Sequence, residues 1–143
     1  MSKIEFSVDL PATQEKLLEI ATDYERFGEV QPLVKSIKIL EKNDNEIITE
    51  EIIKIRGHEI QFSSSHKKID QNTIETTVLS GPFTGTNIKT TFEKIDSGTK
   101  ISVLADLKIS SLKYKFIGPL IKKKYKMGLL AMCYRMNSIA LSS

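Results

Sequence analysis

The sequence predicts an α+β fold in which a seven-stranded, curved antiparallel sheet wraps around one long C-terminal helix, with short helices between the first two strands. Three observations carry that expectation. Apolar and polar residues alternate strictly at the start, turn signals recur at intervals of about 11 to 15 residues through the middle, and the last stretch changes to a helical period.

At the start, Ile4, Phe6, Val8 and Leu10 alternate with Lys3, Glu5, Ser7 and Asp9, which puts all four apolar side chains on one face of a strand. Pro11 stops that strand. Between Thr13 and Phe27 the spacing of Leu17, Leu18, Ala21, Tyr24 and Phe27 becomes three and four, as on an amphipathic helix bracketed by Gly28 and Pro32. From Val34 onward the chain reads as β segments punctuated at Asn43-Asp44-Asn45, Gly57-His58, Gln71-Asn72, Gly81-Pro82 and Ser97-Gly98. That spacing leaves roughly ten residues per strand and a short turn, a meander of six strands to which the first adds a seventh. Ile101, Val103, Ala105, Leu107 and Ile109 mark the inner face of the last strand, with Leu104 the exception to its alternation.

After Gly118-Pro119, where Pro suits the first position of a helix, Ile121, Tyr125, Leu129, Met132, Cys133, Met136, Ile139 and Ala140 share one helical face. A sheet that is wet on one side needs its apolar side covered, and only this helix is long enough to cover it. With no Trp, six Phe and four Tyr, long twisted strands around a single helix are expected to leave a cavity.

The 143 residues suffice for one core, so a single domain spans 1–143. The uncharged apolar stretch Met127–Tyr134 falls far below the roughly 20 apolar residues of a membrane span. Met1-Ser2-Lys3-Ile4-Glu5 lacks the apolar run of a signal peptide, and the lone Cys133 permits neither an internal disulfide nor an all-Cys metal site. A soluble, cytoplasmic protein is expected. The net charge of +3 hides an asymmetry. Residues 1–111 carry 14 basic and 18 acidic side chains, whereas residues 112–143 carry seven basic side chains and no acid.

Enzymatic signatures are scarce: the chain has no glycine-rich phosphate loop, His-Glu-x-x-His, CxxC or nucleophile elbow. His58 and His66, eight residues apart with no third ligand in pattern, give no reason to expect a metal, and no cofactor is expected. More informative are polar residues that continue apolar rows. Ser64 and His66 share a strand face with Ile60 and Phe62; Thr76 is in phase with Ile74 and Val78, and Thr90 with Ile88 and Phe92. Either these groups orient a ligand in an apolar pocket, or the strands run past the helix and the face becomes wet there. Met127, Met132 and Met136 give the C-terminal helix a soft face suited to an irregular apolar shape, a pattern that ordinary core also produces. Cys133 reads as an inert buried thiol. The cluster Lys113, Lys115, Lys122, Lys123, Lys124 and Lys126, interleaved with Tyr114, Phe116, Ile117, Leu120, Ile121 and Tyr125, fits an anionic membrane, RNA phosphates or a solvated face.

Several segments resemble a known family. Val8-Asp9-Leu10-Pro11-Ala12-Thr13-Gln14-Glu15-Lys16-Leu17, then Ala21-Thr22-Asp23-Tyr24-Glu25-Arg26-Phe27 and Pro32-Leu33-Val34-Lys35-Ser36-Ile37, resemble the opening of the START-like (SRPBCC) superfamily. Leu79-Ser80-Gly81-Pro82-Phe83 is similar to the Gly-Pro-Phe turn of its polyketide cyclase/dehydrase and coenzyme-Q-binding branch. The resemblance covers nearly the whole chain.

It implies a helix-grip fold that binds or carries a hydrophobic small molecule, such as a lipid, an isoprenoid quinone or a polyketide, between sheet and helix. On that reading no residue is catalytic. Phe62, Val78, Phe83, Phe92, Tyr125, Met132 and Met136 supply the apolar contacts, Ser64, His66, Thr76 and Thr90 orient the ligand, and access lies near Phe83 and a hinge at Gly118-Pro119. The resemblance leaves two alternatives. One is a polyketide cyclase/dehydrase-type enzyme with His66 as general acid or base. The other is a ribosome- or RNA-associated factor acting through the basic segment, which would otherwise contact an anionic membrane.

Overall fold

A computed structural model describes residues 2–143. The chain runs through β1 (Ser2–Leu10), α1 (Gln14–Ala21), a 3₁₀ turn (Tyr24–Glu29), β2 (Val34–Lys42), β3 (Glu46–Ile55), β4 (His58–Asp70) and β5 (Thr73–Val78). It continues through β6 (Asn87–Ile95), β7 (Gly98–Leu107), α2 (Leu112–Lys115) and α3 (Gly118–Leu141). The seven strands form one antiparallel sheet in the order β1-β7-β6-β5-β4-β3-β2, the helix-grip architecture expected from the sequence.

Alternation decides which face is covered. On β7, Ile101, Val103, Ala105 and Leu107 are buried, whereas Leu104, the exception in the pattern, lies exposed on the outer face. Across the inner face α3 lays Ile121, Tyr125, Leu129, Met132, Cys133, Met136 and Ala140, all buried. Each large apolar side chain so buried contributes about 1.5–3 kcal/mol, enough to dock a helix with no acid in its first turn and no basic residue in its last. Hydrogen bonds fix its far end. The Ala12 N–H donates to Asn137 Oδ1 at 3.1 Å, Lys16 Nζ donates to the Ser143 carbonyl at 3.0 Å, and Thr99 Oγ1 donates to the Ala12 carbonyl at 2.8 Å.

The structure departs from the sequence reading at three places. The run expected as one helix from Thr13 to Phe27 breaks after Ala21. There the Thr22 hydroxyl donates to the Leu18 carbonyl at 2.8 Å, and Asp23 leaves the helical region at φ −90°, ψ 77°. The break turns Tyr24 inward.

The turn expected at Gly81-Pro82 is instead a connection spanning residues 79–86. It is closed by the Val78 N–H donating to the Thr86 carbonyl and the Gly85 N–H to the Val78 carbonyl, both at 2.8 Å, so β5 has six residues rather than ten. Met127 is 53% exposed, because it follows Tyr125 by two residues and so faces away from the sheet; Met132 and Met136 are buried. Among the described residues, no helix is long and apolar enough to cross a membrane.

Candidate functional site

Between the sheet and α3 lies a cavity of about 100 Å³. Its apolar wall comes from Val34, Ile53, Phe62, Val78 and Ile88 on the strands and from Leu129 and Met132 on α3. One side is closed by Phe27, Gln31 and Leu33, from the 3₁₀ turn and the residues leading into β2. Its polar groups are the Gln31 amide, Glu51, Ser64, His66, Thr76, Thr90 and the phenol of Tyr125.

Strand register brings the polar groups together. Thr49 pairs with Ser64 across β3 and β4, and His66 pairs with Thr76 across β4 and β5. Directly opposed residues project to the same face, so this register forms a polar belt inside an otherwise apolar sheet. Thr49 Oγ1 donates to Glu51 Oε2 at 2.9 Å and lies 2.9 Å from His66 Nε2; His66 Nδ1 lies 2.9 Å from Thr76 Oγ1.

One hydroxyl carries one proton. With Glu51 ionised, the Thr49 proton goes to the carboxylate, His66 Nε2–H donates to Thr49, and Thr76 donates to Nδ1. The His66 ring also stacks on Tyr24, centroids 4.2 Å apart.

Burial sets the electrostatics of this belt. It pushes the His66 pKa down to about 4, so the ring is neutral near pH 7, and the 3.8 Å approach of Nε2 to Glu51 Oε2 is not an ion pair there. Burial raises the Glu51 carboxyl pKa, an effect that Thr49 and Ser64 partly offset. It also raises the Tyr24 and Tyr125 phenols, with the nearby Glu51 charge adding to the shift. The Cys133 thiol is buried and pushed up to about 12, so it is not a nucleophile at neutral pH. Ser64 Oγ, on a side chain only 1% exposed, lies close enough to Glu51 to lower its pKa but closes no hydrogen bond of ordinary geometry.

Eight residues singled out from the sequence come together at this cavity: Phe62, Ser64, His66, Thr76, Val78, Thr90, Tyr125 and Met132. Phe92 and Met136 instead line a second space of about 40 Å³ beyond His66 and Thr76. Phe83 lies at neither space. It is wedged between the rings of Tyr114 at 5.8 Å and Tyr125 at 5.9 Å and is fully buried, so it forms packed core where access was expected.

Glu51, Gln31, Phe27 and Leu33 were not anticipated. Glu51 has a legible signal, being in phase with Ile53 and Ile55 on β3. Phe27 carried a signal as the last residue of the three-and-four apolar period after Thr13, whereas Gln31 and Leu33 lie on irregular backbone, where no period marks an inner face.

The lysine cluster lies elsewhere. Lys113, Lys115, Lys123, Lys124 and Lys126 are exposed and Lys122 is half-buried; among the described residues none of them forms an ion pair. Lys113 Nζ sits 5.5 Å over the Tyr114 ring, and Leu112 and Phe116, 73% and 89% exposed, stand among these lysines.

Comparison with known proteins sets these features in a family context. The sequence pattern of the polyketide cyclase / dehydrase and lipid transport family matches residues 10–127. The chain is 27% identical over 109 residues to the ribosome association toxin RatA of Rickettsia prowazekii (strain Madrid E), covering 72% of this chain and 73% of that protein. A START superfamily protein from Mycobacterium smegmatis superposes with a TM-score of 0.82 at 19% identity, over 98% of this chain and 97% of that one. The Zhui aromatase/cyclase from Streptomyces sp. R1128 superposes with a TM-score of 0.71 at 17% identity, over 96% and 87% of the two chains. At such identities the two superpositions establish a shared fold.

Proposed function

The chain belongs to the polyketide cyclase / dehydrase and lipid transport family, and from that premise we propose that it binds and carries an apolar small molecule in the cavity between the sheet and α3. The supporting observation is the cavity itself, an apolar wall interrupted by a few polar groups, one of them a buried hydroxyl with no partner. Its size limits what it holds when closed. About 100 Å³ is well below the roughly 300–1,000 Å³ of ordinary ligand pockets and nearer the roughly 150 Å³ of an engineered cavity that admits benzene. A compact molecule fits as it stands, and a longer one must displace part of the wall. The side formed by Phe27, Gln31 and Leu33 is the one to yield, because it lies outside the strand ladder and its polar ties to α3 are only a weak contact from Gln31 Nε2 to Met132 Sδ at 3.9 Å and one hydrogen bond, from Arg135 Nε to the Glu29 carbonyl at 3.0 Å.

Binding is favoured over catalysis because both His66 nitrogens are already engaged and its ring is stacked, leaving no free acid or base on that side chain. Native mass spectrometry and organic extraction of the purified protein test the reading. An apolar molecule is expected to co-purify, and Val78→Phe, which fills the cavity, is expected to lose most of it. A wild-type protein that carries and takes up nothing overturns the reading.

A second reading has its own support. The relative RatA is a ribosome association toxin, and this chain presents a run of mostly exposed lysines along residues 113–126. On that reading the basic segment contacts ribosomal RNA phosphates.

A further inference from the structure

We infer that the polar end of the cavity is a seat for a hydroxyl group, so that the favoured ligand is a neutral apolar alcohol or phenol rather than an ether or an organic anion. This rests on the binding reading and names the chemistry that the cavity selects.

Two under-satisfied groups border one space, in loose contact with each other. Ser64 Oγ is the one buried side-chain polar atom among the described residues with no hydrogen-bond partner. A buried hydroxyl left alone is destabilising, so its presence on an inward face calls for an occupant. Beside it, Glu51 accepts one hydrogen bond of ordinary geometry, from Thr49 to Oε2; its other donor neighbour is Ser64 itself, whose contact with the carboxylate is too poorly aligned to satisfy either group. Both side chains line the cavity.

A carboxylate accepts only, whereas a serine hydroxyl both donates and accepts. A ligand hydroxyl satisfies the two together, its O–H donating to Glu51 and its oxygen accepting from Ser64. An ether or ketone can accept from Ser64 but offers Glu51 nothing. An organic carboxylate fares worse, because it sets a second negative charge beside Glu51. Among the described lining residues there is no lysine or arginine to offset that charge, and the His66 ring is neutral near pH 7.

Isothermal titration near pH 8 with three probes tests the seat: p-cresol, its isomer anisole, and benzoate. The two isomers are matched in size and composition, so the difference between them reports the hydroxyl. Wild type is expected to bind p-cresol at least about tenfold more tightly than anisole, and benzoate more weakly than either. Ser64→Ala is expected to narrow the preference for p-cresol to within about threefold while anisole affinity is kept, which shows the cavity intact. Glu51→Gln is expected to narrow the same gap and to raise benzoate affinity several-fold.

If anisole binds wild type as tightly as p-cresol, or if the gap survives both substitutions, the hydroxyl seat is overturned while the binding reading stands. Failure of all three probes to bind also overturns the seat. Combined with an empty native mass spectrum, that result overturns the binding reading as well.

Discussion

His66 and Glu51 occupy one buried belt, and burial moves their proton affinities in opposite directions. His66 has an ordinary pKa near 6.5 when the chain is unfolded and about 4 when folded. Between those values the unfolded chain holds a proton that the folded one refuses. Its contribution is therefore complete above about 6.5 and is lost as pH falls towards 4, by up to roughly 3 kcal/mol. Glu51, raised above 4.5, acts with the opposite sign: the folded state takes up its proton first and gains stability as pH falls through the raised value. The two effects partly cancel in the wild type. Glu51→Gln removes the compensation and also removes the negative charge nearest an incoming His66 proton. Urea midpoints measured from pH 8 to pH 4 are therefore expected to fall more steeply in Glu51→Gln than in wild type; a shallower fall would contradict this account of the belt. Sequence alone reached only part of it. Ser64, His66, Thr76 and Thr90 stand out because each interrupts an apolar row in phase. Glu51 is in phase with Ile53 and Ile55, but the pairs Glu50-Glu51 and Ile52-Ile53 blur the alternation that would single it out.

Among the elements, strands and the long helix were legible because one face of each is buried, and burial of one face is what writes a period into sequence. The break after Ala21 and the connection at residues 79–86 were not, because a side-chain hydrogen bond and a loop folding back on the sheet set them. Gly98 shows the same limit. It was legible as a turn residue, while the reason no other residue fits lies in the neighbouring strand. Its φ is +144°, and a Cβ there would stand 2.1 Å from the Leu10 carbonyl oxygen and 2.8 Å from Pro11 backbone atoms. The β6–β7 turn thus packs against the end of β1, at the corner that also anchors α3 through Ala12. Neither backbone can yield cheaply. Gly98→Ala is expected to cost at least about 3 kcal/mol in equilibrium unfolding. A change within about 0.5 kcal/mol of wild type would show that the corner is looser than its geometry implies.

Over the whole molecule, charge and cavity belong to different parts of one chain. Residues 1–111 carry a net −4 and residues 112–143 a net +7, so the sheet body repels polyanions while the α2–α3 segment attracts them. The same helix turns Tyr125, Leu129 and Met132 towards the cavity and Lys123, Lys124 and Lys126 towards solvent, so an anionic partner and an apolar ligand would engage one rigid element. If ribosomal RNA is the partner, its phosphates supply the binding energy. Co-sedimentation with ribosomes should then weaken steeply between about 50 and 200 mM salt, and each lysine removed should lower the salt slope by about one. Lys122→Glu, Lys123→Glu and Lys124→Glu together are expected to abolish sedimentation while leaving ligand uptake intact, because none of the three lines the cavity. Phe116→Ala separates the remaining possibility. Its ring is 89% exposed, and an exposed Phe adds little to phosphate contacts but is suited to insertion into a bilayer. If that substitution releases the protein from vesicles containing anionic lipid and leaves ribosome sedimentation unchanged in a salt-sensitive complex, the basic segment serves both surfaces. If ribosome sedimentation is insensitive to salt and to the three lysines, the RNA reading fails.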